Sequence, residues 1–422
     1  MWRRLKIIAD TGEKLPKNFK MIPVSDVCKI YLGGTPNTNV KEFWGGNIPW
    51  ATAKDIVNTR ERFISNTERM ITQIAVDKSN AKIFPERTIV ITSRGTIGAI
   101  SLLAIPMAFN QTCYGLNTNV GNDPLFVYYA LRNSLDKMRS LSYGTVFQTI
   151  TMRTFSELSI PHPPLREQQA ISKILSDLDE KIELNNQMNK TLEEIAQAIF
   201  KRWFIDFEFP NENGEPYRSS GGEMVDSELG MIPKGWEVKS FGEVIYLTMG
   251  VSPKGSSYNT KGVGIPLING AADFYNGIIE PKKFTTNPVK MCKKGDLLFC
   301  IRATIGNLTY ADKEYCIGRG VAALSPIKEI FNEYSYFTLE YGLDKLISNA
   351  AGSVIKGLSK EDILLYDVVI PTDKIILRFH LLITNIFSKK QSLSLENNNL
   401  STTRDLLLPK LMTGKIRVPL EE

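Results

Sequence analysis

The residues with the clearest chemical potential occur twice. Ser93-Arg-Gly-Thr-Ile-Gly98 and Ile301-Arg-Ala-Thr-Ile-Gly306 each follow a short apolar run, Thr88 to Thr92 and Asp296 to Ile301, whose composition predicts a strand. A glycine-bearing loop at a strand end lets the backbone approach a ligand closely. Arginine adds a planar fork able to grip a phosphate or the edge of a guanine, and threonine adds a hydroxyl. The first candidates are therefore Ser93, Arg94 and Thr96, with Arg302 and Thr304 in the second element. Taken alone, a strand-to-turn packing motif with a surface arginine explains the pattern equally well. Two weaker pairs accompany it. Gly144-Thr-Val-Phe-Gln148-Thr-Ile and Gly352-Ser-Val-Ile-Lys356-Gly-Leu are polar loops after a helix and offer Gln148 and Lys356. Ile48-Pro-Trp50-Ala-Thr-Ala-Lys54, opposite Ile265-Pro-Leu267-Ile-Asn269, adds Trp50, Lys54 and Asn269. A tryptophan in such a stretch is more often a core residue than a base-stacking one.

Several other chemistries lack their residues. The chain has only two histidines, His162 and His380, and neither stands in an HExxH or other metal-ligand spacing. Both fall at or near predicted helix starts, where a solvated or capping role is expected. Gly250-Val-Ser-Pro-Lys-Gly255 has the glycine spacing of a P-loop, but Ser256 stands where the lysine is required. No Asn-Pro-Pro-Tyr or Asp-Pro-Pro-Tyr element, of the kind that holds a flipped base, is found, and no convincing nuclease carboxylate-lysine set. We therefore expect no catalytic residues, no metal and no cofactor.

The elements that must position these loops follow from a comparison of the chain with itself. Leu15-Pro-Lys-Asn-Phe19 matches Ile232-Pro-Lys-Gly-Trp236 at an offset of 217, and Gly33-Gly-Thr-Pro36 matches Gly250-Val-Ser-Pro253 at the same offset. The arginine elements match at 208, as do Gly144-Thr-Val146 and Gly352-Ser-Val354. Asn185 and Asn186 match Asn397 and Asn398 at 212. The chain is a tandem duplication, each copy a mixed α and β globular part followed by a long helix. Val127 to Met138 and Glu333 to Leu346 read as counterpart amphipathic helices. Pro210 to Gly222, polar and rich in Gly, Ser and Pro, reads as an exposed linker. The boundaries we expect are 1–160 and 208–370 for the globular parts, with 161–207 and 371–422 for the helical ones.

The first long helix carries a three-four apolar rhythm. Leu175, Leu178 and Ile182 lead into Asn185 and Asn189, and Leu192, Ala196 and Ile199 resume the frame. That is a coiled-coil seam in which buried Asn fixes register. The second, from about Lys374 to Leu411, has a less regular seam at Ile383, Phe387, Leu393 and Leu400. An intramolecular helical hairpin is the expected arrangement. Charge separates the parts. Residues 1–160 carry a net +8 and residues 234–320 a net +5, whereas Ile171 to Ala196 carry −3. An acidic rod in a basic chain suggests that the rod meets protein and the globular parts meet phosphate. The whole chain of 422 residues is +6, which permits nucleic-acid binding without showing it. Its five scattered cysteines, with no close CxxC pair, fit a reducing cytoplasm. No apolar run reaches the roughly 18 residues of a membrane span, and Met1 to Asp10 holds too short an apolar stretch for a signal peptide.

These features together resemble the specificity subunits of type I restriction–modification systems. The resemblance rests on the duplicated Leu/Ile-Pro-Lys-x-aromatic element, the Arg-x-Thr-Ile-Gly element, and Pro163-Pro-Leu-Arg-Glu-Gln168 opening a long helix. Ala198-Ile-Phe-Lys-Arg-Trp-Phe-Ile-Asp206 followed by Gly230-Met-Ile-Pro-Lys-Gly-Trp236 resembles the family's central connector, and Leu408-Pro-Lys-Leu-Met-Thr-Gly-Lys-Ile416 its C-terminal ending. The resemblance spans nearly the whole chain. It implies an α+β protein with two target recognition domains separated by an antiparallel two-helix coiled coil, related by a pseudo-two-fold axis. It also implies a non-catalytic subunit that binds a bipartite, asymmetric site on double-stranded DNA and docks two methyltransferase subunits. Restriction (helicase-nuclease) subunits join that core, and S-adenosylmethionine belongs to the methyltransferase. Leu175, Leu178, Ile182, Asn185, Asn189 and Leu192 would then form the spacer and the partner surface. One departure is that Pro371-Thr-Asp-Lys-Ile-Ile-Leu stands where the first copy has Pro163-Pro-Leu-Arg-Glu-Gln-Gln. Two rivals stay open: a DNA methyltransferase or nuclease with a fused recognition domain, and a coiled-coil scaffold without DNA binding. The missing catalytic motifs count against the first, and the arginine loops and charge split against the second.

Overall fold

The computed structural model describes residues 6–7, 15–59, 61–142, 149–275, 278–302, 304–350 and 357–419. It divides into two compact units. One comprises Met1–Gln187 together with Leu393–Glu422, and the other is Met188–Ser392.

Strands form where apolar and β-branched residues run consecutively. Ile89–Thr92 and Leu297–Cys300 are buried at every position, as expected of strands covered on both faces. In the first unit Ile89–Thr92 lies inside a five-stranded sheet, ordered Cys28–Leu32, Cys113–Thr118, Ile89–Thr92, Ile100–Leu103, Phe63–Ile64. A three-stranded sheet beside it runs Arg69–Ile71, Trp44–Ala51, Ala108–Phe109. In the second unit Leu297–Cys300 lies inside a four-stranded sheet, ordered Ile245–Met249, Val321–Pro326, Leu297–Cys300, Leu308–Tyr310. The duplication extends to register. Leu116 pairs with Ile30 and Ile89, and Leu324 pairs with Leu247 and Leu297. Trp50 opposes Ala108 in parallel, and Leu267 opposes Cys316 in parallel.

A helix closes one face of each central sheet. The stretch expected as a single helix from Val127 is two, Pro124–Asn133 and Leu135–Ser142, because the chain turns at Ser134. The first of these is capped by Asp123, with Pro124 in the first turn, where its missing N–H costs nothing. Its counterpart runs unbroken from Asn332 to Ala350. The linker is better ordered than its composition suggests. The Asn211 carboxamide accepts the N–H groups of Asn213 and Glu215 at 2.9 and 3.0 Å. Tyr217 stacks on Phe209, and Phe209 on Trp236, at ring separations of 4.6 and 4.9 Å.

The long helices are Leu165–Phe200, of 36 residues, and Asp373–Met412, of 40. The second, with the less regular seam, is the longer, and Pro409 falls in its last turn. Inside each unit they pack antiparallel. In the first unit the Asn185 amide donates to Glu396 at 2.8 Å and Asn397 at 2.9 Å, while Arg404 meets Asp179 at 2.5 Å. In the second, Glu193 pairs with Lys390, and Ala196 and Phe200 share a core with Phe379 and Ile383. Leu175, Leu178 and Asn185 are buried in the first unit, so these side chains serve the chain itself and present no surface to a separate partner. Ile182, Asn189 and Leu192 are half-buried.

Candidate nucleic-acid interface

In both units the central strand ends by lifting the arginine loop out of the sheet. In the first, the buried Ser93 anchors the exit. Its N–H and Oγ both donate to the Thr112 carbonyl, at 2.8 and 2.9 Å, and its own carbonyl accepts from Ile150 N–H at 3.1 Å. Gly98 N–H then returns to the Thr92 carbonyl at 3.0 Å. This tight return needs left-handed backbone at Gly95 and Gly98, with φ of 73° and 81°, which glycine adopts without strain. Ile97 turns inward against the core, while Arg94, Gly95 and Thr96 stay exposed. The second loop repeats the scheme. Ile301 donates to the Gly320 carbonyl at 2.9 Å and accepts from Leu358 at 2.9 Å, and Gly306 N–H reaches the Cys300 carbonyl at 3.2 Å. Arg302 and Thr304 are exposed. Both side chains are exposed, and neither Arg94 nor Arg302 forms an ion pair among the described residues.

Two further loops share that edge. Gly33 N–H donates to the Cys113 carbonyl and Gly250 N–H to the Val321 carbonyl, each at 3.0 Å. A Cβ on Gly33 would stand 2.1 Å from the Asn110 carbonyl oxygen, and one on Gly250 2.1 Å from that of Gly318, so both glycines are required by close backbone approach. The loops they meet are β-turns. Cys113 N–H reaches the Asn110 carbonyl at 3.1 Å, and Val321 N–H that of Gly318 at 3.0 Å. Gln111 and Arg319 sit exposed at their tips. The internal comparison that found the arginine loops also aligns these two positions, at 208, but their types differ and no motif marked them.

The remaining sequence candidates divide. Trp50 is a core residue, only 3% exposed, whose indole N–H donates to the Gly34 carbonyl at 3.0 Å. It supports the Gly33–Pro36 loop from behind. Lys54 is exposed but paired with Glu68 at 2.7 Å. Asn269 is half-buried behind the Gly318 turn, and its backbone N–H donates to Asp273 at 2.8 Å. Gln148 and Lys356 lie outside the described residues. Nearby Arg69, which no motif marked, is exposed and lies 3.5 Å over the Trp44 ring.

The sheet that carries the first arginine loop is tied to the helices by a buried charge cluster. Arg62, 4% exposed, precedes the edge strand Phe63–Ile64. Its Nε and Nη2 donate to the two Glu183 oxygens at 3.0 Å each, its backbone N–H donates to Glu183 at 2.9 Å, and Nη1 donates to Ser176 at 2.7 Å. Burial is the largest influence and opposes its charge, but the Glu183 hydrogen bonds together with the neighbouring Tyr129, Glu183 and Asp179 hold its pKa above the usual arginine value. Beside it the Tyr129 hydroxyl donates to Asp179 at 2.7 Å, and Asp179 also meets Arg404. Burial raises the Tyr129 phenol well above its ordinary value. The second unit's junction is mostly aromatic, built from Phe200, Phe204, Phe337 and Phe379. Its polar element is Glu333, which accepts from Thr384 at 3.0 Å and meets the His380 ring at 2.5 Å. His380 is thus a partner in a largely buried pair, not the solvated or capping residue its position predicted. His162 contacts Asn122 at 2.7 Å, and burial lowers its pKa.

In the Pro-Pro-Leu-Arg-Glu-Gln element Pro164, Leu165 and Arg166 are exposed, whereas Glu167 and Gln168 turn inward. Glu167 is buried and accepts from Asn18 at 2.8 Å and from Arg417 at 2.8 and 3.0 Å. Gln168 accepts from Asp123 N–H at 3.0 Å and donates to the Pro163 carbonyl at 2.9 Å. Among the described residues no group of three or more His, Cys, Asp or Glu could hold a metal, and no helix is long and apolar enough to cross a membrane.

Comparison with known proteins agrees with this architecture. The family profile described as the type I restriction modification DNA specificity domain matches residues 16–194 and again 233–397. The chain is 31% identical to the type I restriction enzyme MjaIX specificity subunit of Methanocaldococcus jannaschii, over 96% of this chain and 95% of that one. It is 27% identical to the HindI specificity subunit of Haemophilus influenzae, over 66% of this chain and 74% of that one. The crystal structure of a type I restriction–modification S subunit from M. genitalium shares the fold, with a TM-score of 0.60 at 18% identity over 96% of this chain and 98% of that one. With the specificity domain present twice and a relative matched along nearly its whole length, the chain belongs to the specificity subunits of type I restriction–modification systems, the non-catalytic members of those complexes.

Proposed function

We propose that each unit reads one half of a bipartite, asymmetric target on double-stranded DNA through its three-loop edge. In this reading the recognition domains are residues 1–160 and 208–370, and 161–207 and 371–422 are helical spacers. The chain docks two methyltransferase subunits and, through them, the restriction subunits. S-adenosylmethionine and base methylation belong to the methyltransferase. The observation that carries the reading is the repetition of one loop scaffold, hydrogen bond for hydrogen bond, with different side chains at its tips. A shared scaffold with divergent tips suits two half-sites of different sequence. Arg94 and Arg302 recur in both, without a carboxylate partner among the described residues, and supply phosphate or guanine contacts. Their loops fold inward at Ile97 and Ile305, so the packing and binding roles of the motif coexist.

The test is co-expression with the methyltransferase encoded beside it, followed by sequencing of methylated sites. A complex of one chain with two methyltransferase subunits, modifying a split site of two unlike half-sites, is expected. Methylation by the purified chain alone would favour a fused enzyme. Absence of any salt-dependent DNA binding by the complex would favour a scaffold.

A further inference from the structure

We propose that Gln111 and Arg319 are equivalent base-reading residues, and that Gln111 selects an adenine in one half-site while Arg319 selects a guanine in the other. This deepens the reading above and rests on it. The equivalence is structural. Each side chain occupies the first tip position of a β-turn closed by the hydrogen bond from Cys113 to Asn110, or from Val321 to Gly318. Each turn is fixed on three further sides by matching backbone bonds. Asn110 and Gly318 donate to the carbonyls of Ala51 and Ile268, at 2.9 and 2.8 Å. Thr112 and Gly320 accept from Ser93 and Ile301, at the root of the arginine loops. Gly33 and Gly250 bind the strand that follows each turn. A turn held this way presents its tip residue at one fixed place beside Arg94 or Arg302, and both tips are exposed.

The chemistry at that place differs between the copies in a way that maps onto base edges. A glutamine offers one acceptor and one donor, the complement of adenine N6 and N7. An arginine offers two donors, the complement of guanine O6 and N7. The Gln111 amide is oriented for this. The Thr35 hydroxyl donates to Gln111 Oε1, leaving that oxygen a second lone pair for N6–H and the amide N–H free to face N7. Thr35 is itself held in the Gly33–Pro36 loop. Asn110 stiffens the same turn by accepting from Thr112 Oγ1 at 2.8 Å. In the second copy Ser252, the counterpart of Thr35, accepts from the Arg319 backbone N–H at 3.4 Å, and no hydrogen bond or ion pair among the described residues claims the guanidinium. Glycines flank Arg319 because a Cβ at 318 or 320 would stand 2.3 or 2.2 Å from Asn269 oxygens. Thr35 is a positioning residue in this scheme.

The experiment maps methylation motifs made in cells by the methyltransferase complex carrying the native chain, Gln111→Arg, Arg319→Gln, Arg319→Lys or Thr35→Val. Gln111→Arg should replace adenine by guanine at one position of one half-site and leave the other half-site unchanged. Arg319→Gln should do the reverse at one position of the other. Discrimination at the altered position should change about ten- to a hundredfold. Arg319→Lys keeps the charge and loses the fork, so it should relax the guanine position while preserving the salt dependence of binding. Thr35→Val should broaden only the adenine position. Motifs that stay unchanged while Arg319→Gln weakens binding uniformly and lowers the salt slope would overturn the proposal in favour of a phosphate contact. A change in both half-sites from a single substitution would also overturn it. If the native complex yields no split motif, the functional reading fails; if it does and the variants copy it, only this inference fails.

Discussion

Replacing Arg62 by alanine should destabilise the first unit by about 3 kcal/mol, the lower end of the range for breaking a buried ion pair. The magnitude follows from what remains. Glu183 loses two charge-assisted hydrogen bonds at 3.0 Å and keeps only the backbone N–H of residue 62 at 2.9 Å. Its side chain is 18% exposed, so water recovers part of the loss. Ser176 keeps its bond to Glu180 at 2.9 Å, and Tyr129 keeps Asp179 at 2.7 Å, so the damage stays local. For a unit of this size, a loss of about 3 kcal/mol lowers the midpoint by roughly 6–12 °C. Calorimetry of the native, Arg62→Ala, Glu183→Gln and double-variant chains forms a cycle that isolates the pair. Hydrogen exchange in Cys113–Thr118 assigns the transition to the first unit. A loss below about 1 kcal/mol, or a coupling near zero, would refute the view that this pair holds the edge strand to the helices.

Arg94→Ala and Arg302→Ala should each weaken DNA binding by about 1–3 kcal/mol if the fork meets a base, and by less if it meets phosphate, as read by anisotropy titrations at several salt concentrations. Unchanged affinity in both, with folding intact, would remove these loops from the interface. Gly306→Ala should cost more stability than Gly95→Ala, because a Cβ at 306 stands 2.4 Å from Leu343 Cδ2 whereas none at 95 meets an atom within 4 Å; thermal unfolding that ranks them in reverse would contradict this packing. The five cysteines are buried, and burial pushes Cys28, Cys113 and Cys300 up to about 12 and Cys292 to about 11, so a thiol reagent at mildly alkaline pH should label the chain only after denaturation. Inserting one heptad in both long helices adds about 10 Å to each. If helix length sets the spacing, the DNA spacer should grow by roughly three base pairs with both half-sites unchanged, and retention of the old spacer in methylation mapping would rule that out.

The sequence by itself determined the duplication, the strand–loop–glycine elements and the two long helices. Each is encoded locally, in motif recurrence, in consecutive β-branched residues or in a three-four period. It also identified the arginine loops, because the same residue types recur after the same kind of strand. Other features needed tertiary structure, because long-range pairing leaves no trace in spacing. Leu408, Leu411, Met412, Ile416 and Val418 complete the core of the first unit, which makes that unit discontinuous. An apolar period marks which helix face is buried but not what covers it, so the Leu175 and Leu178 seam could not be told from a partner surface. For Trp50 the sequence left a core and a base-stacking role side by side, and the tertiary structure buries it with its indole on the Gly34 carbonyl. Glu167 and Gln168 stood in the sequence only as part of a helix-opening element, and their partners Arg417 and Asp123 reach them from distant parts of the chain. Gln111 and Arg319 share no residue type, and although the 208-residue offset aligns them, it is the matching backbone hydrogen bonds around them that place both at the tip of the same turn.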